Sequence, residues 1–228
     1  MSDKHQVDSG RGWVVAFAGC AINTWTFGVF YSFATALEQM ADEFNAGLSG
    51  IAAFFSVTTF LFFVVGMLAG PLADRFGALR LVAVGALLMG GGLWLTAQVE
   101  SLFTGIVVYG LGVGLGIGSY LVPLSVATGA WFEKNRTVAL GVNTVGIGLG
   151  TLILVPVAEW LIRTAGWRSA FELMGIGSAI VYGVVALVSF KPPTPPASLA
   201  ASISAARRAV GRSEFWRLYL AGFLMSVA

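Results

Sequence analysis

Three uncharged stretches of this 228-residue chain carry polar side chains among long runs of apolar ones. Asn23, Phe27 and Tyr31 recur at i, i+4 and i+8, so on a helix they form one stripe, with Thr24 beside it. Ser119 and Tyr120 stand shortly before Pro123, and Asn143 is followed by Thr144. Amides and hydroxyls of this kind can donate hydrogen bonds to a carboxylate in place of the water it gives up. The same groups also join one helix to its neighbour, at about 0.6 kcal/mol per bond. Asn23, Tyr31, Ser119, Tyr120 and Asn143 are therefore candidates for either role. Enzyme chemistry has no such candidates: there is no G-x-S-x-G, no H-E-x-x-H, and the single histidine, His5, lies in a polar amino-terminal tail. The single cysteine, Cys20, excludes an intramolecular disulfide and any multi-cysteine metal site. No cofactor is expected.

The elements that must hold these residues follow from charge. Hydrophobic residues make up 57% of the chain and charged residues 11%, against about 25% charged in a soluble domain. Too little polar surface remains to face water, so the partner on the outside is a lipid bilayer. No Asp, Glu, Lys or Arg occurs in 12–37, 44–73, 81–99, 101–132, 137–158 or 173–190. Each run is close to or above the roughly 20 apolar residues that a spanning helix needs, or just short of it. The runs are continuously apolar rather than alternating, which favours helices over barrel strands. A seventh span begins after Arg217.

The basic residues orient the bundle. With the amino terminus in the cytoplasm, Lys4, Arg11, Arg75, Arg80, Lys134, Arg136, Lys191, Arg207, Arg208, Arg212 and Arg217 lie inside, and only Arg163 and Arg168 lie outside. The net charge of +2 and the scattered basic residues suggest no nucleic-acid partner. Residues 1–11 read as a cytoplasmic tail, 12–190 as a six-helix bundle, 191–215 as a cytoplasmic linker and 216–228 as the start of helix seven. The linker opens with Lys191-Pro-Pro-Thr-Pro-Pro196, which cannot continue a helix. A receptor or scaffold would need a sizeable soluble domain or a conspicuous binding loop, and the sequence shows neither.

Two motifs carry more than packing. Gly70-Pro-Leu-Ala-Asp74-Arg75-Phe-Gly77-Ala-Leu-Arg80 places an acid and two arginines at a tight turn, with Gly70 and Pro71 expected to close or kink the second helix. Gly110, Gly112, Gly114, Gly116 and Gly118 come at every second residue. On a helix 110, 114 and 118 stack on one face and 112 and 116 beside them, as small-residue stripes for close helix packing, and Gly146 and Gly150 repeat the device.

The turn resembles the G-x-L-x-D-R-x-G signature of the major facilitator superfamily, with Gly70, Leu72, Asp74, Arg75 and Gly77 in the fixed places. The segment from Gly110 to Gly150, with Trp131-Phe132-Glu-Lys134-Asn-Arg136, Ala139 and Gly141, is similar to the monocarboxylate-porter family and, in its loop, to the related oxalate/formate antiporters. Asp8-Ser-Gly-Arg-Gly-Trp13 resembles the family's opening to helix one, and Gly166-Trp167-Arg168 also fits. The resemblance implies the amino-terminal half of a 3+3-repeat transporter fold, truncated in helix seven. It implies a cytoplasmic gate at Gly70, Asp74, Arg75, Gly77 and Arg80, a family loop at Lys134 and Arg136, and proton-coupled symport of small monocarboxylates across the plasma membrane by alternating access. Anion exchange of the oxalate/formate kind is the alternative. Animal members often carry a lysine on helix one, where this chain reads Val29-Phe30-Tyr31-Ser32. The cation for an organic anion, and most of the proton coupling, would then come from a carboxy-terminal half that transport requires.

Overall fold

A backbone surrounded by hydrocarbon must satisfy its own N–H and C=O groups, and a continuous apolar run does so as a helix. The computed structural model of the protein describes residues 8–188, and its regular structure there is entirely helical. Residues 1–7, which include His5, lie outside the described residues, as do the linker 191–215 and the expected start of helix seven. The side chains of Asp74, Leu79 and 186–188 lie outside them too.

α1 (Gly10–Ser32) passes through a single 3-10 turn (Phe33–Ala36) into the short α2 (Leu37–Glu43). α3 (Leu48–Phe76) and α4 (Ala78–Thr96) are separated by one residue, Gly77, whose φ of 89° is a backbone conformation that side chains oppose. Of the two expectations at Gly70-Pro71, closing or kinking, closure does not occur: the second helix runs on to Phe76. A proline there costs α3 only one donor near the end, and the glycine makes the break. α5 (Leu102–Tyr109) continues through a π-helical turn (Gly110–Gly114) into α6 (Leu115–Ala130). α7 (Arg136–Val188) closes the described range.

α7 cannot be straight. At 1.5 Å per residue its 53 residues would reach about 80 Å, well over twice the hydrocarbon thickness. Gly166 breaks it, with φ 81° and ψ 160°. Contacts with the first column show the reversal. Asn23 meets Asn143, Gly28 meets Leu154 and Gln39 meets Ile162, so 136–165 runs parallel to α1. Glu43 meets Arg168 and Trp25 meets Ser178, so 167–188 runs back. The described residues thus form six helical columns, 10–43, 48–76, 78–96, 102–130, 136–165 and 167–188. By length and apolar character Gly10–Glu43, Leu48–Ala73, Leu102–Ala130 and the Gly166-broken Arg136–Val185 are able to cross a membrane, and Arg80–Thr96 is a shorter apolar helix.

The glycine ladder divides its faces as its spacing predicts. A Cβ on Gly110, Gly114 or Gly118 would strike Val57, Thr58 or Val65 of α3, whereas one on Gly112 or Gly116 would strike Gly92 or Met89 of α4. The outward faces of α3 and α7 remain apolar, with Phe60, Phe63, Met67, Leu152 and Trp160 exposed, as suits a lipid solvent.

At the end away from Gly77, Arg168 ties three columns together. Its guanidinium pairs with Glu43 at 2.6 Å and donates to the carbonyls of Ala97 and Val99. Glu43 also accepts from the Trp167 indole, and the Gln39 amide donates to the Ile162 carbonyl while accepting the Trp167 N–H at 3.1 Å. Arg168→Ala should lower stability by about 1–2 kcal/mol, discounted for the partial exposure of the pair. Arg168→Lys should recover less than half of this, because an ammonium cannot span a carboxylate and two carbonyls in one plane. Thermal unfolding in detergent measures both.

Candidate functional site

The polar residues singled out from the sequence divide into three settings. Asn23 and Asn143 are buried between α1 and 136–165, where the backbones come unusually close. Gly19 leaves no room for a Cβ beside the Asn143 side chain, and Gly146 and Gly150 lie directly on the carbonyls of Cys20 and Thr24. This approach lets the Asn23 Nδ2 donate to the Asn143 carbonyl at 2.9 Å. The Asn23 Oδ1 accepts from the Tyr120 hydroxyl at 3.1 Å, and the Asn143 Nδ2 donates to the Thr128 hydroxyl at 3.0 Å. Asn23, Tyr120 and Asn143 therefore form one network joining α1, α6 and α7.

Ser119 belongs elsewhere. Its hydroxyl donates to the Gly116 carbonyl of its own helix at 2.9 Å, and it packs against Gly85 of α4. Tyr31 is 40% exposed, at the edge of an aromatic cluster. Its ring centroid lies 5.3 Å from Phe30 and 6.2 Å from Phe27, and Phe30 stacks on Phe55 of α3 at 4.6 Å. Thr144 bonds back to the Leu140 carbonyl and faces outward.

A second polar group was not singled out from the sequence. The Thr26 and Tyr182 hydroxyls lie 2.6 Å apart, Tyr182 also reaches the Met89 sulfur at 3.4 Å, and the Trp25 indole donates to Ser178 at 2.9 Å. The Tyr120 and Tyr182 rings meet edge to face at 5.5 Å, so the two groups adjoin. The signal was present in Thr26, Ser178 and Tyr182 as polar residues inside uncharged runs. None of the buried polar side chains among the described residues carries a formal charge at neutral pH. Such a core can orient a polar ligand group through hydrogen bonds but cannot neutralise an anion.

At the opposite end from Arg168, two motifs that are far apart in sequence touch. The Asp8 carboxylate accepts the backbone N–H groups of Lys134 at 3.1 Å, Asn135 at 3.2 Å and Glu133 at 3.4 Å, just ahead of α7. The Asp8 N–H donates to the Trp131 carbonyl at 2.9 Å. Trp13 packs edge to face on Phe132 at 5.0 Å, and Gly12 lies against both Trp131 and Phe132. Backbone N–H donation, first from Lys134, holds the Asp8 carboxyl below the usual carboxylate range. Lys134 and Arg136 are exposed, and Arg136 lies along Gly129. In the α3–α4 turn, Arg75 and Arg80 are exposed, Arg75 lies 5.2 Å from the Phe76 ring centroid, and a Cβ on Gly70 would meet open space. The Asp74 side chain is outside the described residues.

Two measurements check these assignments. Tyr120→Phe strands the buried Asn23 Oδ1 and should cost about 1–3 kcal/mol in thermal unfolding, whereas Tyr31→Phe should change stability little. Asp8→Asn should speed hydrogen exchange of the Glu133, Lys134 and Asn135 amides at neutral pH. In the unaltered chain the same loosening should come only in acid. A carboxyl whose folded pKa is depressed contributes stability above its unfolded value and loses it as pH falls through the folded one.

Comparison with known proteins gives this arrangement its context. A family profile described as the Major Facilitator Superfamily matches residues 16–228. The riboflavin transporter RibJ of Trypanosoma brucei brucei is 31% identical over 183 residues, which are 78% of this chain and 33% of that protein. Monocarboxylate transporter 11 of Mus musculus is 31% identical over 168 residues, 74% of this chain and 38% of that protein. A crystal structure of the peptide transporter POT has the same fold, with a TM-score of 0.68 at 21% identity over 92% of this chain and 46% of that one. The chain thus spans less than half the length of these relatives. With a profile match over most of its length and a helical bundle of the same fold, the chain belongs to the Major Facilitator Superfamily.

Proposed function

We propose that this chain forms the amino-terminal bundle of a secondary active transporter that couples uptake of small monocarboxylates to protons by alternating access. The observation that carries the reading is the uncharged polar core: Asn23, Tyr120 and Asn143 supply hydrogen bonds deep in a bundle that holds no buried cation among its described residues. An anion in such a place needs a positive partner. A second bundle, for which the greater length of the relatives leaves room, would supply it, and the substrate would lie between the two. Tyr31, exposed at the aromatic cluster, is the proposed direct contact. Asn23, Tyr120 and Asn143 are proposed as positioning residues that set the place of α1 against α6 and α7.

The gate is proposed at Gly70, Asp74, Arg75, Gly77 and Arg80, and the docked Asp8 and Lys134–Arg136 loop at the same end fixes the entry to α7 beside it. That end is proposed to face the cytoplasm. Among the described residues it holds Arg11, Arg75, Arg80, Lys134 and Arg136, against Arg163 and Arg168 at the other. The plasma membrane is the proposed site of action.

A planar aromatic substrate is the second reading. Tyr31, Phe27, Phe30 and Phe55 form a partly exposed aromatic wall suited to stacking, and one relative is named for riboflavin. Uptake by cells making the gene's full protein product tests both readings. Lactate- or pyruvate-driven alkalinisation of the medium is expected, and Tyr31→Ala should raise KM about tenfold while leaving expression unchanged. Uptake that ignores the pH gradient and needs an internal counter-anion would select exchange instead. Transport of riboflavin without any of a monocarboxylate would select the aromatic reading.

A further inference from the structure

One cavity on the described surface joins charge to grease. A groove of about 450 Å³ opens on the outside of the bundle between α3, α4 and α6. Its walls are Val65 and Leu72 from α3, Val84 and Leu88 from α4, and Leu115 from α6, with Phe76 and Arg80 also lining it. Ser119 lies at its floor with its hydroxyl already given to the Gly116 carbonyl, so the groove offers an occupant almost no polar surface along its depth.

The cation marks one end. Arg80 sits in the first turn of α4, next to the break at Gly77, and is exposed. It makes no ion pair among the described residues. Arg75 does not line the groove; its guanidinium lies 5.2 Å from the centroid of the Phe76 ring, which does. From Arg80 to Leu88 the groove descends α4 by about 12 Å. A ligand complementary to this shape has an anion at one end and a flexible chain of about ten carbons below it. A positive residue at a membrane surface and an apolar channel running into the hydrocarbon fit a lipid oriented as it lies in its own leaflet.

We propose that this groove is a binding site for an anionic phospholipid, whose phosphate meets Arg80 and whose acyl chain lies along Leu72, Val84, Leu88 and Leu115. The site is separate from the polar core, but its cation, Arg80, is also one of the residues proposed for the gate. Arg80 is exposed and Val84 is half exposed, so both can be changed without disturbing the packed interior.

Native mass spectrometry of the purified 228-residue chain, with phosphatidylglycerol and phosphatidylcholine offered in equal amounts, tests it. Retention of phosphatidylglycerol over phosphatidylcholine is expected. Arg80→Gln should reduce the retained fraction about fivefold, the worth of one basic residue near an anionic surface. Val84→Trp, which fills the groove and keeps Arg80, should reduce it as well. Equal retention of the two lipids would overturn the proposal. So would retention that Val84→Trp leaves intact, or that inorganic phosphate at millimolar concentration abolishes, because either outcome reduces the site to a surface charge.

Discussion

The closeness of α1 to 136–165 is the constraint on which the rest of the bundle depends. In lipid, apolar side chains gain nothing by leaving the solvent for each other, so helices associate through van der Waals fit and hydrogen bonds. Gly146 and Gly150 bring one backbone onto the carbonyls of the other, a separation that any side chain would forbid. Asn23 reaches a main-chain carbonyl only because of that distance, and its remaining oxygen then has a fixed place to receive Tyr120. Gly92 against Gly112 repeats the arrangement between α4 and the π-helical turn. The polar core is in this sense a product of missing Cβ atoms.

The two ends of the bundle are held by different means. At one, a guanidinium gathers Glu43 and two loop carbonyls. At the other, a carboxylate gathers three backbone N–H groups ahead of a helix. Both fasteners join segments through groups that water could reach, while the middle is joined through groups it could not. A bundle fastened this way can loosen at an end without exposing its centre, which suits a protein proposed to open first on one side and then on the other.

Much of the architecture was legible because its signals are local. Charge-free runs mark the columns, and the alternate spacing of Gly110 to Gly118 assigned faces that α3 and α4 occupy. Gly77 was visible as a turn residue, but the break at Gly166 and the extension of α3 past Pro71 were not, since a proline near a helix end removes only one bond. The candidate site was harder to read. Asn23, Tyr120 and Asn143 stood out as polar residues in apolar runs, yet nothing local says which of them share a neighbour. Ser119 has the same signature and faces another helix. Thr26 and Tyr182 were not singled out, and only the pairing of columns shows that these two hydroxyls bond to each other. The docking of Asp8 on Lys134 and Asn135 joins two motifs that resemblance had named separately.

That pairing of columns also sets an order of events during synthesis. α1 finds its closest neighbour not in α3, which follows it, but in a helix whose contact residue Asn143 lies 120 positions later. At 5–20 residues per second the ribosome needs roughly 6–24 s to make that stretch. Throughout this time Gly19 and Asn23 have entered the membrane with their partner surface unmade. A newly inserted first helix must therefore wait for its partner, and the column made first is among the last to find its place.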